Sequence, residues 1–167
     1  GSEMCIRDRT MIDKRFASIE NALAGIRDGS VILVGGFGNA GSPIPLLEAL
    51  IDQGATDLTI VSNNAGEGDF GLAALMKAGR ISKIICSYPR SSGSVIFEEL
   101  YGQGKIDLEV VPQGTLSERM RAAGAGIGGF YTPTSAGTLL AKGKETREIE
   151  GKLHVLELPL KGDVALI

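Results

Sequence analysis

The chain has 167 residues, a formal net charge of −3 and 43% hydrophobic residues, a composition that suits one α/β domain with a sizeable core. The acidic balance and the lack of a lysine and arginine cluster argue against nucleic-acid binding. No apolar run approaches the roughly 20 residues that cross a membrane, and no secretory signal is visible, so we expect a cytoplasmic protein without a membrane segment.

In chain order, the first segment differs from the rest of the sequence. Residues 1–9, GSEMCIRDR, show no clear relation to the residues after them, and MCIRDR matches one reading frame of a transposon adapter used in DNA sequencing libraries. We therefore expect residues 1–9 to be a non-native, adapter-derived segment and residues 10–167 to form a single domain. The last predicted strand stops abruptly at Ile167, so we also expect this domain to be incomplete at its carboxyl end.

Helices and strands are predicted to alternate through the rest of the chain. Apolar residues at helical spacing predict helices at 16–26, 43–53, 70–78, 95–101 and 117–123, the second of them capped by Ser42 and ended by Gly54. Short apolar runs predict strands at 31–34, 58–62, 81–86, 106–111 and 163–167, and a hairpin from 146–149 and 153–158. This alternation predicts an α/β fold with an open, mostly parallel sheet flanked by helices.

A glycine-rich loop follows the first predicted strand. It consists of Gly35, Gly36, Phe37, Gly38, Asn39, Ala40 and Gly41. Residues 36–41 match the G-x-G-x-x-G fingerprint of dinucleotide sites, which also needs an acidic residue at the end of the next strand. That strand ends in Asn63-Asn64, and Asp57 lies at its other end, so the pattern disfavours a nicotinamide cofactor. Contact with a substrate oxygen and tight backbone packing remain open as roles for the loop.

Ligands of open α/β sheets bind beyond the carboxyl ends of the strands. In this sequence those ends are predicted at 35–41, 62–66, 87–90 and 112–115, and they carry mainly glycines, amides and hydroxyls. No histidine or cysteine in these segments forms a nucleophile and base pair. The pattern therefore predicts a site that binds polar groups through hydrogen bonds and that is not a complete catalytic apparatus.

Five separated motifs resemble the A subunits of the class I coenzyme A transferases. They are DGSVILVGGFGNAGSP at 28–43, VSNNAG at 61–66, VPQGTLSER at 111–119, FYTPTSAGT at 130–138 and GKETREIEGK at 143–152. The resemblance implies the sheet architecture that this family shares with the NagB and RpiA type of sugar-phosphate isomerases. It also implies CoA transfer from succinyl-CoA to a 3-oxo acid, with a CoA thioester as substrate and no permanently bound cofactor. Segments 66–75 and 85–90 favour 3-oxoadipate as the acceptor, with acetoacetate as the alternative.

The resemblance also implies that this chain is half of an enzyme. In the family, the B subunit provides a glutamate that attacks the acyl-CoA and then carries CoA as a thioester. This chain has Asn63-Asn64 at the corresponding strand end, so we expect no catalytic residue here and a B-subunit partner in a heterotetramer. The implied role of loop 35–41 is to border the CoA thioester and donate to an oxyanion. Asn63 and Gln113 match family positions that orient the substrate.

Each of these site residues also has a purely structural interpretation. Gly35 and Gly36 are equally explained by close packing of a helix on the sheet, and Phe37 is more typical of a core residue than of a substrate contact. Asn63 is explained otherwise as a cap of loop backbone, and Gln113 as a turn residue. A binding module that holds an anionic ligand without chemistry is the alternative function.

Other chemically active side chains are expected to lie outside the site. Glu67 is expected to be a solvated surface carboxylate rather than a nucleophile. Arg90 and Arg119 are suited to binding a carboxylate or phosphate, but Arg119 is expected to form a surface ion pair. His154 is expected at the surface of the hairpin. The two cysteines, Cys5 and Cys86, have no metal-ligand spacing, so no metal site is predicted, and Cys86 is expected to be a buried, small apolar residue.

Overall fold

The structure is a computed structural model that describes residues 15–91 and 93–167. The predicted adapter-derived segment, residues 1–9, lies outside the described residues, as does Cys5. The strands are β1 Val31–Val34, β2 Leu58–Asn64, β3 Ile81–Tyr88, β4 Asp107–Val110, β5 Phe130–Thr132, β6 Thr146–Ile149, β7 Lys152–Glu157 and β8 Val164–Leu166. The helices are α1 Ile19–Leu23, α2 Ile44–Gln53, α3 Leu72–Lys77, α4 Val95–Gly102 and α5 Gln113–Gly124, with a 3₁₀ helix at Leu139–Ala141.

Five of the strands form one parallel sheet in the order β4-β3-β2-β1-β8. Helices α1 to α4 pack on one face, where their apolar side chains and those of the strands make the larger core. Helix α5 covers part of the other face through Leu116 and Met120, which pack with Val61, Ile85 and Val111. The open parallel sheet flanked by helices that the sequence predicts is therefore confirmed.

Two predicted helix beginnings are wrong in detail. The first helix does not extend over 16–26, because the Ser18 side chain accepts a hydrogen bond from the Asn21 amide and caps a helix that begins at Ile19. Phe16 lies outside this helix and is largely exposed. Ser42 does not cap the second helix, since Pro43 occupies the cap position. The predicted end at Gly54 is confirmed, with φ +96° in the left-handed region that glycine favours.

Helix α5 begins earlier than predicted, at Gln113 instead of Ser117. Its first turn follows Pro112, whose carbonyl accepts a hydrogen bond of 2.8 Å from the Leu116 amide. Gly114 lowers helix propensity only within that first turn. As a result, Gln113 stands at the first position of a helix, and its interpretation as a turn residue is wrong.

The remaining strands form a small antiparallel sheet in the order β5-β7-β6. The predicted hairpin is confirmed as β6 and β7, joined by Glu150 and Gly151 with φ of +51° and +73°. Two successive positive φ values are typical of the tight turns that match strand twist. Strand β5 was not predicted from the sequence, because three residues are too few to show an alternating pattern.

A chain of ion pairs connects this small sheet to the parallel sheet. Arg119 on α5 binds Glu109 at 2.9 Å, and its Nε atom donates to the Leu158 carbonyl at 2.8 Å. Glu157 is almost fully buried and accepts a hydrogen bond of 2.6 Å from Lys144. Arg119 does form an ion pair, as expected, but its side chain is only 12% exposed, so its placement at the surface is wrong.

Candidate functional site

The two predicted substrate-orienting residues meet at the carboxyl ends of the parallel strands. Asn63 lies near the end of β2, and Gln113 lies at the start of α5, just after β4. Because α5 passes back over β3, the Gln113 side chain reaches Asn63, and its Nε2 atom donates to the Asn63 Oδ1 atom at 2.6 Å. The sequence prediction placed both residues at strand ends, and the fold brings them into direct contact.

Ser87 joins this pair of amides from the neighbouring strand β3. Its hydroxyl lies 2.9 Å from the Asn63 Oδ1 atom and 3.0 Å from the Asn63 carbonyl oxygen. Residues 87–90 were predicted at a strand end, but Ser87 was not among the predicted site residues. Its only sequence signal was that position, since a lone serine after an apolar strand has many ordinary explanations.

An apolar cavity of about 340 Å³ lies on one side of the amide pair. Its walls come from β1, β2, β8 and α5, and its lining residues are Leu33, Val34, Gly35, Gly36, Val61, Ser62, Asn63, Gln113, Leu116, Ser117, Met120, Ala165 and Ile167. The polar groups lie mainly at the strand ends, and the apolar groups lie along the sheet face. This arrangement suits a ligand with a polar reacting group and an apolar stem.

A second cavity, also about 340 Å³, lies at the rim and shares Asn63 and Gln113 with the first. Its other lining residues are Phe37, Ser87 and Tyr88. Phe37 is 70% exposed, so its interpretation as a core residue is wrong. Among the described residues that line these two cavities, none is a carboxylate, a histidine or a cysteine. The site therefore presents amides, hydroxyls and backbone groups to a ligand.

The glycine loop forms a tight turn at this rim. The amide of Phe37 donates to the Ala40 carbonyl at 2.9 Å, and the Ala40 amide donates to the Phe37 carbonyl at 3.1 Å. Within the described part of the chain, the amides of Gly36, Gly38, Asn39 and Gly41 donate to no other residue. These four backbone donors therefore have no acceptor within the described part of the protein.

The structure divides the loop between two environments. Gly35, Gly36 and Phe37 line the cavities that contain Asn63, whereas Gly38 and Asn39 line a separate, small cavity. Ala40 and Gly41 line none of these cavities. Close packing explains Gly36 in part, since a Cβ atom there would lie 3.0 Å from the Ser42 nitrogen.

The small cavity has a volume of about 10 Å³, which is at the lower limit of the space that holds one water molecule. Asn64 and Glu67 line it together with Gly38. Asn64 is only 6% exposed, and its Nδ2 atom has no hydrogen-bond partner among the described residues. Glu67 is half-buried beside the glycine loop, so it is less exposed than the surface carboxylate that the sequence predicts.

The other side chains considered from the sequence lie elsewhere. Arg90 is exposed and pairs with Glu98 at 3.6 Å. The His154 ring lies 2.8 Å from the Lys152 carbonyl on strand β7. Cys86 is fully buried, as predicted. Residues 15–91 and 93–167 contain no group of three or more His, Cys, Asp or Glu side chains placed to bind a metal ion.

No helix among the described residues is both long enough and apolar enough to span a membrane.

Comparison with known proteins gives consistent similarities along nearly the whole chain. Residues 16–167 match the family described as Coenzyme A transferase. The chain is 62% identical to the A subunit of the 3-oxoadipate CoA-transferase of Pseudomonas putida, over 94% of this chain and 68% of that protein. It is 51% identical to the A subunit of the succinyl-CoA:3-ketoacid coenzyme A transferase of Xanthomonas campestris pv. campestris (strain B100), over 92% of this chain and 63% of that protein. The chain thus spans about two thirds of the length of these curated relatives.

Among solved structures, the fold is similar to that of a variant of the decarboxylase AibA/AibB. The TM-score is 0.77 at 25% identity, and the match covers 90% of this chain and 60% of that one. The decarboxylase indicates that this architecture supports more than one reaction, so the function has to be argued from the site residues.

Proposed function

Because the chain belongs to the coenzyme A transferase family, we propose that it is the A subunit of an enzyme that transfers CoA from succinyl-CoA to a 3-oxo acid. The partner is a B subunit that supplies the nucleophilic glutamate, and the assembly is a cytoplasmic heterotetramer. CoA thioesters are substrates of this enzyme and not permanently bound cofactors.

One observation carries the proposal. Asn63 and Gln113 meet between two cavities whose described lining residues offer hydrogen-bond donors and acceptors but no carboxylate, imidazole or thiol. Such a surface can orient a thioester and stabilise developing charge. It lacks the carboxylate that forms the covalent intermediate, which supports the proposal that the B subunit supplies the nucleophile and this chain orients the substrate.

The proposed reaction proceeds through four acyl transfers. A glutamate oxygen of the partner attacks the thioester carbonyl of succinyl-CoA, the C–S bond breaks, and CoA leaves as a thiolate. The thiolate attacks the glutamyl carbonyl of the resulting anhydride, which releases succinate and leaves a glutamyl-CoA thioester. The carboxylate of the 3-oxo acid then attacks that thioester and releases the thiolate again. The thiolate finally attacks the 3-oxoacyl carbonyl, which gives 3-oxoacyl-CoA and regenerates the glutamate.

Every one of these steps places negative charge on a carbonyl oxygen. Preorganised donors stabilise such an oxyanion by roughly 2.7–4 kcal/mol each. The available backbone amides of the glycine loop and the Asn63 side chain are the groups of this chain that fulfil that role in the proposal. Gly35 and Gly36 also let the backbone at the rim approach a ligand closely, because glycine has no Cβ atom.

The preferred acceptor in this proposal is 3-oxoadipate. The support is that the relative with 62% identity is named for this acceptor, whereas the relative with 51% identity is named for 3-ketoacids. Acetoacetate is the alternative acceptor, because the same amide pair suits any 3-oxo acid carboxylate.

The test is an assay of the full chain, alone and together with its B subunit. Succinyl-CoA is the donor, and 3-oxoadipate and acetoacetate are compared as acceptors. We expect no transfer by the A chain alone and transfer by the assembled enzyme, with the higher kcat/KM for 3-oxoadipate. Transfer by the A chain alone that disappears in Glu67→Gln would refute the two-subunit proposal. A higher kcat/KM for acetoacetate would refute the choice of acceptor.

A further inference from the structure

The Ser87 hydroxyl contacts a proposed site residue but has no role in the steps above. From its geometry we infer that Ser87 is a positioning residue, which acts by holding the Asn63 amide in the orientation that donates to the substrate carbonyl. This inference rests on the proposed function, since it assigns a residue to that same site.

The Asn63 side-chain oxygen is within hydrogen-bond distance of two donors. Its Oδ1 atom accepts from Gln113 Nε2 at 2.6 Å and from Ser87 Oγ at 2.9 Å. A carbonyl oxygen has two lone pairs, so Gln113 and Ser87 occupy both of them when the single Ser87 hydroxyl proton is directed at Oδ1 rather than at the Asn63 backbone carbonyl. The part of the amide that is left for a ligand is Nδ2, with two N–H donors.

The two donors to Asn63 differ in how rigidly they are held. Asn63 and Ser87 lie opposite each other on β2 and β3, between the paired residues Ser62 with Cys86 and Asn64 with Tyr88. The serine side chain is short, and its hydroxyl is also within 3.0 Å of the Asn63 carbonyl oxygen. Gln113, in contrast, extends a long side chain from a different element, and such a chain loses more rotamer freedom when it is held in place. Ser87 is therefore the more rigid of the two supports.

Loss of the Ser87 hydroxyl would allow the Asn63 amide to rotate. A rotated Asn63 amide presents oxygen instead of N–H to the substrate carbonyl, and oxygen repels the negative charge that develops there. The loss appears in the chemical step, because it affects an interaction that strengthens in the transition state. The sheet itself does not depend on the Ser87 hydroxyl, since β2 and β3 are paired through their backbones.

The experiment is a double-mutant cycle in the assembled enzyme. We expect Ser87→Ala to lower kcat by about tenfold, the effect of one lost orienting hydrogen bond, with little change in KM. Ser87→Thr keeps the hydroxyl and is expected to restore kcat. In an Asn63→Ala background, Ser87→Ala is expected to have no further effect, because the group it positions is already absent. Ser82→Ala, at the opposite end of β3, is the matched control and is expected to leave kcat unchanged.

Several results would overturn the inference. One is a Ser87→Ala defect that multiplies with that of Asn63→Ala, since it would show that Ser87 acts independently. Another is a crystal structure of the Ser87→Ala enzyme with the Asn63 amide unmoved, a result that does not depend on activity. Full activity in Ser87→Ala would also overturn it. Absence of transfer in the wild-type assembly would instead overturn the proposed function.

Discussion

Gln113 Nε2 donates a hydrogen bond of 2.6 Å to Asn63 Oδ1 across 50 residues of sequence. If the Asn63 amide stabilises an oxyanion, Asn63→Ala lowers kcat and kcat/KM together, by roughly 10²–10³-fold. Gln113→Ala is expected to produce a smaller loss that is not additive with it, because the two side chains act as one unit. Steady-state kinetics on assembled variants measures both effects, with the exposed Gln103→Ala as control. A rise in KM alone would mean that the pair only binds substrate.

Gly38 has φ +59°, and its amide has no hydrogen-bond acceptor among the described residues. Alanine at this position strains the backbone by about 1–2 kcal/mol and displaces the turn, so we expect kcat of the folded enzyme to fall by up to about 10²-fold. Gly79 is a matched control, since it has φ +69°, open space around it and a position after α3. Gly79→Ala should lower stability similarly and leave kcat unchanged. Equal kinetics for the two variants would remove the loop from the mechanism.

Lys144, just before β6, and Glu157 on β7 form an ion pair of 2.6 Å within the small sheet, in which Glu157 is buried and the Lys144 side chain is 32% exposed. Lys144→Met leaves the Glu157 carboxylate buried without its closest partner and is expected to lower the free energy of unfolding by about 3 kcal/mol. Adding Glu157→Gln should recover part of that loss, because the uncompensated charge is removed. Urea unfolding measures these changes. Arg121→Met breaks an exposed pair with Glu118 and is expected to cost less than about 1 kcal/mol; a similar loss in both variants would contradict this account.

Glu109 contributes a pH dependence to stability. Burial raises its pKa, but hydrogen bonds from Arg119 and Lys83 outweigh burial and hold the pKa below the ordinary value of 4.5. In the folded state this carboxyl therefore binds fewer protons than in the unfolded state just below pH 4.5, so its contribution is present above that pH and lost as the pH falls. We expect the free energy of unfolding of Glu109→Gln to fall less steeply with acidification. Parallel curves for variant and wild type in urea titrations would refute this.

Cys86 is expected to be chemically inert in the folded protein. Burial raises the pKa of its thiol to about 12, and the thiolate is the form that reacts with electrophiles. In a Cys5→Ser background at pH 8, a thiol reagent should label Cys86 at the rate of unfolding, and immediately in urea. Rapid labelling of the folded protein would mean that the strand ends open far more often than their packing suggests.

Local patterns were sufficient to predict the alternating helices and strands of the parallel sheet and the hairpin, but not the three-residue strand β5. The family resemblance is also confirmed, because residues 16–167 match the Coenzyme A transferase family. Apolar periodicity and turn glycines act over a few residues, so they are visible in the sequence itself. The errors at Ser42 and at the start of α5 arose where a proline decides which residue begins the helix.

Only the tertiary structure decided how the site is assembled. Asn63 contacts Gln113 and Ser87, and each of the three residues lies on a different element. The division of the glycine loop between two cavities and the burial of Arg119 beside Glu109 also depend on contacts between elements. Such contacts depend on sheet order, register and the path of α5 over β3. A single hydroxyl or amide has no periodic signature, so its partner is determined only when long-range packing brings the elements together.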